Sequence, residues 1–172
     1  MTKGFNLDRV GLAKKKNTND SPNEKVICEN RRARHDYIVL DSIECGIVLV
    51  GSEVKSLRAG GISLSESFAK IKNGEVWLIN CNIPEYFEAS RFNHRPTRDR
   101  KLLMHHSEIR RFAKRADAKG ITLVPLRMYF SKGKAKVLLG LCQGKQEHDK
   151  RDAKRKADTE KGLRAAMMKR HR

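Results

Sequence analysis

Large apolar side chains cluster in one stretch of this chain, between about residues 26 and 142, and are sparser towards both ends. From Gly144 to the terminal Arg172 the one large branched aliphatic residue is Leu163. A segment that cannot bury apolar surface cannot offset the roughly 1 to 2 kcal/mol per residue that ordering a backbone costs, so only the middle can build a core. The 172 residues therefore divide into one domain of ordinary size and two polar arms. Residues 1–23 form a flexible basic leader, 24–143 the domain and 144–172 a basic tail.

Inside 24–143 the texture is of short β-rich runs. VICEN, YIVLDSI, GIVLV, ISLSESFAKI, EVWLIN, ITLVPLRMYF and KAKVLLGLC follow in turn, with Asn73-Gly74 and Lys132-Gly133 placed as hairpin turns. Gly46 separates the second run from the third as either a turn or a bend within one strand. Ala135, Val137, Leu139 and Leu141 alternate onto one face; the stretch 64–72 alternates poorly and suggests a bulge. A helix is expected over 107–119, with Ser107 as N-cap, Ile109, Phe112, Ala113 and Ala116 on one stripe, and Gly120 at its end. A shorter one fits 52–57, closed by Gly60-Gly61. The expected fold class is mainly β with small helices, a closed or partly open antiparallel barrel.

The formal charge of +18 is spread along the chain, +3 on 1–23, +9 on 24–143 and +6 on 144–172. Such a chain expects a polyanion, either nucleic acid or an anionic membrane. No apolar run approaches the roughly 18 residues of a membrane span, and the N-terminus lacks the apolar block of a signal peptide, so a cytoplasmic protein without a membrane partner is expected. Cys28, Cys45, Cys81 and Cys142 lie far apart without C-x-x-C spacing and are expected to be reduced core residues. His105-His106 is too compact for a metal site and fits a helix cap and surface. With no P-loop, dinucleotide fingerprint or nucleophile elbow, the sequence displays neither an enzyme nor a cofactor site.

Two segments concentrate groups suited to RNA. Asn30, Arg31, Arg32, Arg34, His35 and Tyr37 precede or begin a strand; arginine forks bind phosphate, His and Tyr stack on bases or bond ribose, and Asn reads base edges. The bland alternative is a solvated strand end. Arg98, Arg100 and Lys101 crowd before Leu102 and Leu103, as in a loop along a phosphate backbone with a leucine against an unstacked base, or as a charged loop before core leucines, the reading preferred for Leu102. Glu44 and Glu53 could accept hydrogen bonds from 2′-hydroxyls, or pair with a neighbour such as Lys55 or Arg58. In the tail, Glu147 to Arg151, Asp152 to Lys156 and Glu160 to Arg164 are i,i+4 pairs in the favourable order, each contributing about 0.2 to 0.5 kcal/mol. Helix is encoded there but too weakly to stand alone, so the tail is expected to be disordered when free and to fold on a polyanionic surface.

The segments NRRARHDY, EVKSLRAG, RKLL and GKQEHDKR, in this order, resemble the small protein B family, the tmRNA-binding (SsrA-binding) factors of bacterial trans-translation. The resemblance implies an oligonucleotide-binding-type β-barrel and a noncatalytic adaptor, expected to be monomeric. Its implied partners are the tRNA-like domain of tmRNA, the stalled ribosome including small-subunit RNA, and elongation factor Tu, with the tail helical in the vacant mRNA channel. By position it implies important RNA contacts at Asn30, Glu44 and Leu103, beside Arg31, Arg32, Arg34, His35 and Tyr37. Lys55, Arg58, Arg98, Arg100 and Lys101 match basic motif positions, and Gly144, Lys145, His148, Asp149, Lys150 and Arg151 match the segment that approaches the decoding centre. Where the family commonly has Ala-Lys-Gly-Lys-Lys, this chain has LCQGKQ, two positive charges fewer. A tail tryptophan of some relatives is absent. A ribosomal structural protein or general single-strand RNA binder is the alternative, and a chain ending at Gln143 is expected to keep RNA binding.

Overall fold

In a computed structural model of the chain, residues 24–146 and Thr159 are described. They form β1 (Glu24–Glu29), α1 (Arg31–Asp36), β2 (Tyr37–Ile47), α2 (Gly51–Arg58), β3 (Phe68–Lys72), β4 (Glu75–Ile79), a 3-10 turn (Phe87–Phe92), β5 (Arg100–Leu103), α3 (His106–Ala116), β6 (Ile121–Ser131) and β7 (Lys134–Gly144). All pairings are antiparallel, in the order β1-β6-β3-β4-β5-β2-β7 with a further β6–β7 pairing. The sheet thus returns on itself: six strands close into a ring and β1 lies along β6 beyond it.

Both expected hairpins are present. Asn73 and Gly74 have φ of 52° and 74°, Lys132 and Gly133 of 49° and 76°, the doubly positive turn whose twist suits two antiparallel strands. Gly46 makes no turn: β2 runs through it for 11 residues, and a Cβ there would come within 3.2 Å of Leu103 Cβ, so the glycine admits β5 at close range. The register shift in β2 lies instead between Val39 and Asp41.

Two expected strands are shorter than their apolar runs. After Ile47 the chain leaves the sheet, because the Val50 N–H donates to Glu53 Oε2 at 2.9 Å and so begins α2. In 62–71, Ser63 makes only a bridge to Asn82. Ser67 Oγ then donates to Leu64 O at 2.7 Å, folding 64–67 into a turn before β3. That turn, not a bulge, is the cause of the weak alternation.

α3 starts one residue earlier than expected, since the Glu108 carboxylate accepts the His105 N–H at 2.9 Å and makes His105, not Ser107, the N-cap. It ends at Ala116 on Asp117, and Gly120, with φ of +83°, turns the chain into β6. Ile109 and Phe112 are buried in the main core with Val76, Leu78, Leu102 and Met128.

β7 has apolar residues on both faces. Val137, Leu139 and Leu141 join the main cluster; Leu138 and Cys142 join a second one with Ala33, Val124, Leu126 and Tyr37. α1, absent from the sequence reading, covers that second cluster. All four cysteines are free, Cys28 half-buried and the others buried. Burial pushes the Cys45 thiol up to about 12 and those of Cys81 and Cys142 to about 11. Among the described residues no helix is long and apolar enough to cross a membrane.

Candidate nucleic-acid interface

Asn30 organises the first patch from inside. Buried, it caps α1 by accepting the Ala33 N–H on Oδ1 at 3.0 Å, and its Nδ2 donates to Leu64 O at 2.9 Å and Pro125 O at 3.1 Å. Its own N–H donates to Leu126 O at 2.8 Å. With Ala33 sunk into the second cluster, Arg31, Arg32, Arg34 and His35 are turned to solvent.

The acids near these cations hold them loosely. Arg32 lies 3.5 Å from Asp36 and 3.6 Å from Glu66, and Arg34 lies 3.9 Å from Glu29. Exposed pairs of this kind contribute about 0 to 1 kcal/mol, so a phosphate can displace the carboxylates. His35 Nδ1 is 2.9 Å from Asp36 Oδ1.

The fold also brings the start of the tail here. Gly144 pairs with Tyr37, Lys145 N–H donates to Asp36 O at 2.9 Å, and Lys145 Nζ donates to Arg34 O at 3.0 Å. Lys145 therefore adds its charge to the α1 face. β7 runs through Gly144, one residue past the expected end of the domain. Beside this face Asn30, Arg32, Tyr37, Glu66, Phe68 and Thr122 line a cleft of about 390 Å³.

A second patch lies at the other end of β2. Glu44 accepts the Tyr129 hydroxyl in a short hydrogen bond and the Lys136 ammonium at 2.9 Å. The Tyr129 bond first, then Lys136, hold its carboxyl below the ordinary value, while burial and then Glu44 push the Tyr129 phenol up. Its partners are thus neither of the basic neighbours anticipated, Lys55 and Arg58. Leu103 is 51 % exposed, whereas Leu102 is buried. Leu103, Gly46, His105, Phe130 and Lys136 share an open hollow of about 600 Å³. At roughly 3.3 Å per residue, β2 sets the two patches up to about 30 Å apart.

The basic run 98–101, which leads into β5, is engaged by acids of the fold itself. Arg100 is completely buried; its Nε donates to Glu53 Oε1 at 2.8 Å, Nη1 to Cys81 O at 2.5 Å and Arg98 O at 3.0 Å, and Nη2 to Pro96 O at 2.9 Å. Arg98 grips the same carboxylate, Nε to Oε1 at 2.7 Å and Nη2 to Oε2 at 2.5 Å. Burial pushes the Glu53 carboxyl up, but the bonds from Arg98 and the Val50 N–H and the Arg100 charge outweigh it and hold it below its ordinary value. Lys101 pairs with Glu75 on β4. Lys55 stands 5.6 Å from the Tyr86 ring, and Arg58 is exposed at the end of α2. His148, Asp149, Lys150 and Arg151 lie outside the described residues.

The apolar stripe of α3 is legible in the sequence, and opposite it the helix carries a basic outer face. Arg110, Arg111 and Lys114 are exposed there, and Arg115 reaches Asp41 on β2 at 2.6 Å. The signal was present, since cations at i, i+1 and i+4 opposite Ile109 and Phe112 must face outward. Among the described residues no group of three or more His, Cys, Asp or Glu could hold a metal ion.

A family model described as "SmpB protein" matches residues 27–169. The chain belongs to the SmpB family. It is 55 % identical over 139 residues to the SsrA-binding protein of Desulforudis audaxviator, covering 80 % of this chain and 91 % of the relative. With the SsrA-binding protein of Levilactobacillus brevis the identity is 48 % over 156 residues, 91 % of this chain and 98 % of the relative. A solved chain from "tmRNA-SmpB: a journey to the center of the bacterial ribosome" superposes with a TM-score of 0.61 at 50 % identity, covering 74 % of this chain and 94 % of that one. The antiparallel sheet with few helices is thus the fold of an SmpB protein.

Proposed function

We propose that this SmpB-family chain is a noncatalytic RNA-binding adaptor of trans-translation. Its ring of strands acts as an oligonucleotide-binding-type barrel that binds the tRNA-like domain of tmRNA and delivers it to stalled ribosomes. The observation that supports this most is the α1 face. A helix of six residues, pinned by a buried Asn30, turns three arginines and a histidine outward beside Lys145, in a chain similar to proteins named for binding SsrA.

In this reading Arg31, Arg32, Arg34, Lys145 and His35 meet phosphate and ribose, and Tyr37 lines the adjoining cleft. Glu44, kept ionised, accepts from a 2′-hydroxyl or base amino group, and Leu103 meets an unstacked base over its hollow. Asn30 and Arg100 act by positioning. Lys55, Arg58, Arg98 and Lys101 add positive potential around the barrel. The tail, with His148, Asp149, Lys150 and Arg151, enters the decoding centre and the vacant mRNA channel. The protein works as a cytoplasmic monomer in a delivery complex with elongation factor Tu.

Competition binding tests this against the alternative of a general single-strand binder. Labelled tRNA-like domain is displaced by unlabelled tRNA-like domain, ordinary tRNA or unstructured RNA, at low and raised salt. Preference for the tRNA-like domain should persist at raised salt, when the phosphate contribution has weakened. Equal competition by unstructured RNA would favour the single-strand binder.

A further inference from the structure

Phe87 is 96 % exposed, and the next most exposed of the large apolar side chains whose burial is described, Leu103, stands at 51 %. Its backbone is tethered despite this exposure. The Tyr86 N–H donates to Asn93 Oδ1 at 3.0 Å and Asn93 Nδ2 donates to Tyr86 O at 2.8 Å, so one side chain closes the 86–93 loop from both sides. Below it, Ser56 Oγ donates to Pro84 O at 2.7 Å, and His94 Nε2 lies 3.0 Å from the carbonyl of the fully buried Ile83. The ring is held out on a rooted loop, the arrangement of an anchor residue awaiting a pocket.

The residues flanking Phe87 in the chain are acidic, with the ammonium of Lys55 on α2 standing 5.6 Å from the neighbouring Tyr86 ring. Glu85 and Glu88 are both exposed next to Phe87, and the Tyr86 hydroxyl donates to Glu88 Oε2 at 2.5 Å. In a chain of net charge +18, an exposed aromatic between two carboxylates repels phosphate and complements a basic surface.

We propose that Glu85, Tyr86, Phe87 and Glu88 form a docking point for a ribosomal protein, on a surface where an apolar hollow takes the Phe87 ring and a rim of Lys or Arg meets the two glutamates. This rests on the reading that the chain goes to the ribosome. It differs from the α1 patch in partner: protein here, RNA there.

The test uses the full chain, purified ribosomes and the isolated tRNA-like domain. Phe87→Ser should weaken ribosome binding about tenfold or more while leaving binding of the tRNA-like domain unchanged. Glu85→Lys should also weaken ribosome binding; strengthened binding would mean an anionic, RNA partner and would overturn the proposal. A photoactivatable benzoylphenylalanine at position 87 should give a ribosome adduct that protease destroys and nuclease does not; the reverse would again overturn it. Ribosome binding indifferent to both substitutions overturns the docking point alone. If the unsubstituted chain fails to bind ribosomes, the delivery reading falls and the docking point with it.

Discussion

Arg98 and Arg100 stand two residues apart in one basic run, yet the fold separates them. Arg100 is wholly buried and Arg98 keeps about a third of its side chain in water, both on the carboxylate of Glu53. Removing one partner of a buried ion pair leaves the others uncompensated, at about 3 to 5 kcal/mol. Glu53→Gln should therefore lower the stability seen in urea unfolding by that amount at neutral pH. Because the folded carboxyl titrates below its ordinary value, its contribution is fully present above the unfolded value of about 4.3 and is lost as pH falls through the folded one. Urea midpoints should fall over that acid window, and Glu53→Gln should flatten the fall. The Arg100 role was not legible, because R-K-L-L alternation says which residues share a face without saying that an arginine takes the inner one. That Leu102 and Leu103 take opposite faces follows from that same alternation and was legible.

Among the elements, α1 carries the proposed grip and is the one the sequence concealed. With six residues and one buried apolar position, Ala33, it has no periodicity to read; its signal is the N-cap Asn30 before a run with neither Pro nor Gly. The hairpins and α3 were legible because turn chemistry and amphipathicity are local. The exact starts of α2 and α3 were not, since Glu53 and Glu108 set them by capping backbone N–H groups. Asn30→Ala removes the cap and leaves Leu64 O and Pro125 O without their buried donor, at about 1 to 3 kcal/mol. It should lower both the unfolding midpoint and RNA affinity, whereas Arg31→Ala should lower affinity and its salt dependence with the midpoint unchanged. The seat of α1 is equally tight. A Cβ at Gly140 would lie 2.9 Å from Leu126 Cδ1 and 3.1 Å from Cys142 Sγ, so Gly140→Ala should cost about 1 to 3 kcal/mol by overpacking, read as a lowered thermal midpoint.

For the whole molecule, the fold places the groups proposed to meet RNA in two patches at opposite ends of β2 and sends the chain past the first as it leaves β7. Apolar distribution made the stretch that builds the core legible; which residues meet in space depended on ring closure through β6 and β7, which no local pattern encodes. Lys145, hydrogen-bonded to α1, belongs to the folded body, so the natural cut falls after Gln146 instead of Gln143. The most direct measurement pairs two assays on a chain ending at Gln146: affinity for the tRNA-like domain, and peptide tagging on stalled ribosomes. The predicted result is unchanged affinity with tagging abolished. Loss of affinity in a chain that still unfolds cooperatively, or tagging that survives the cut, would contradict the account.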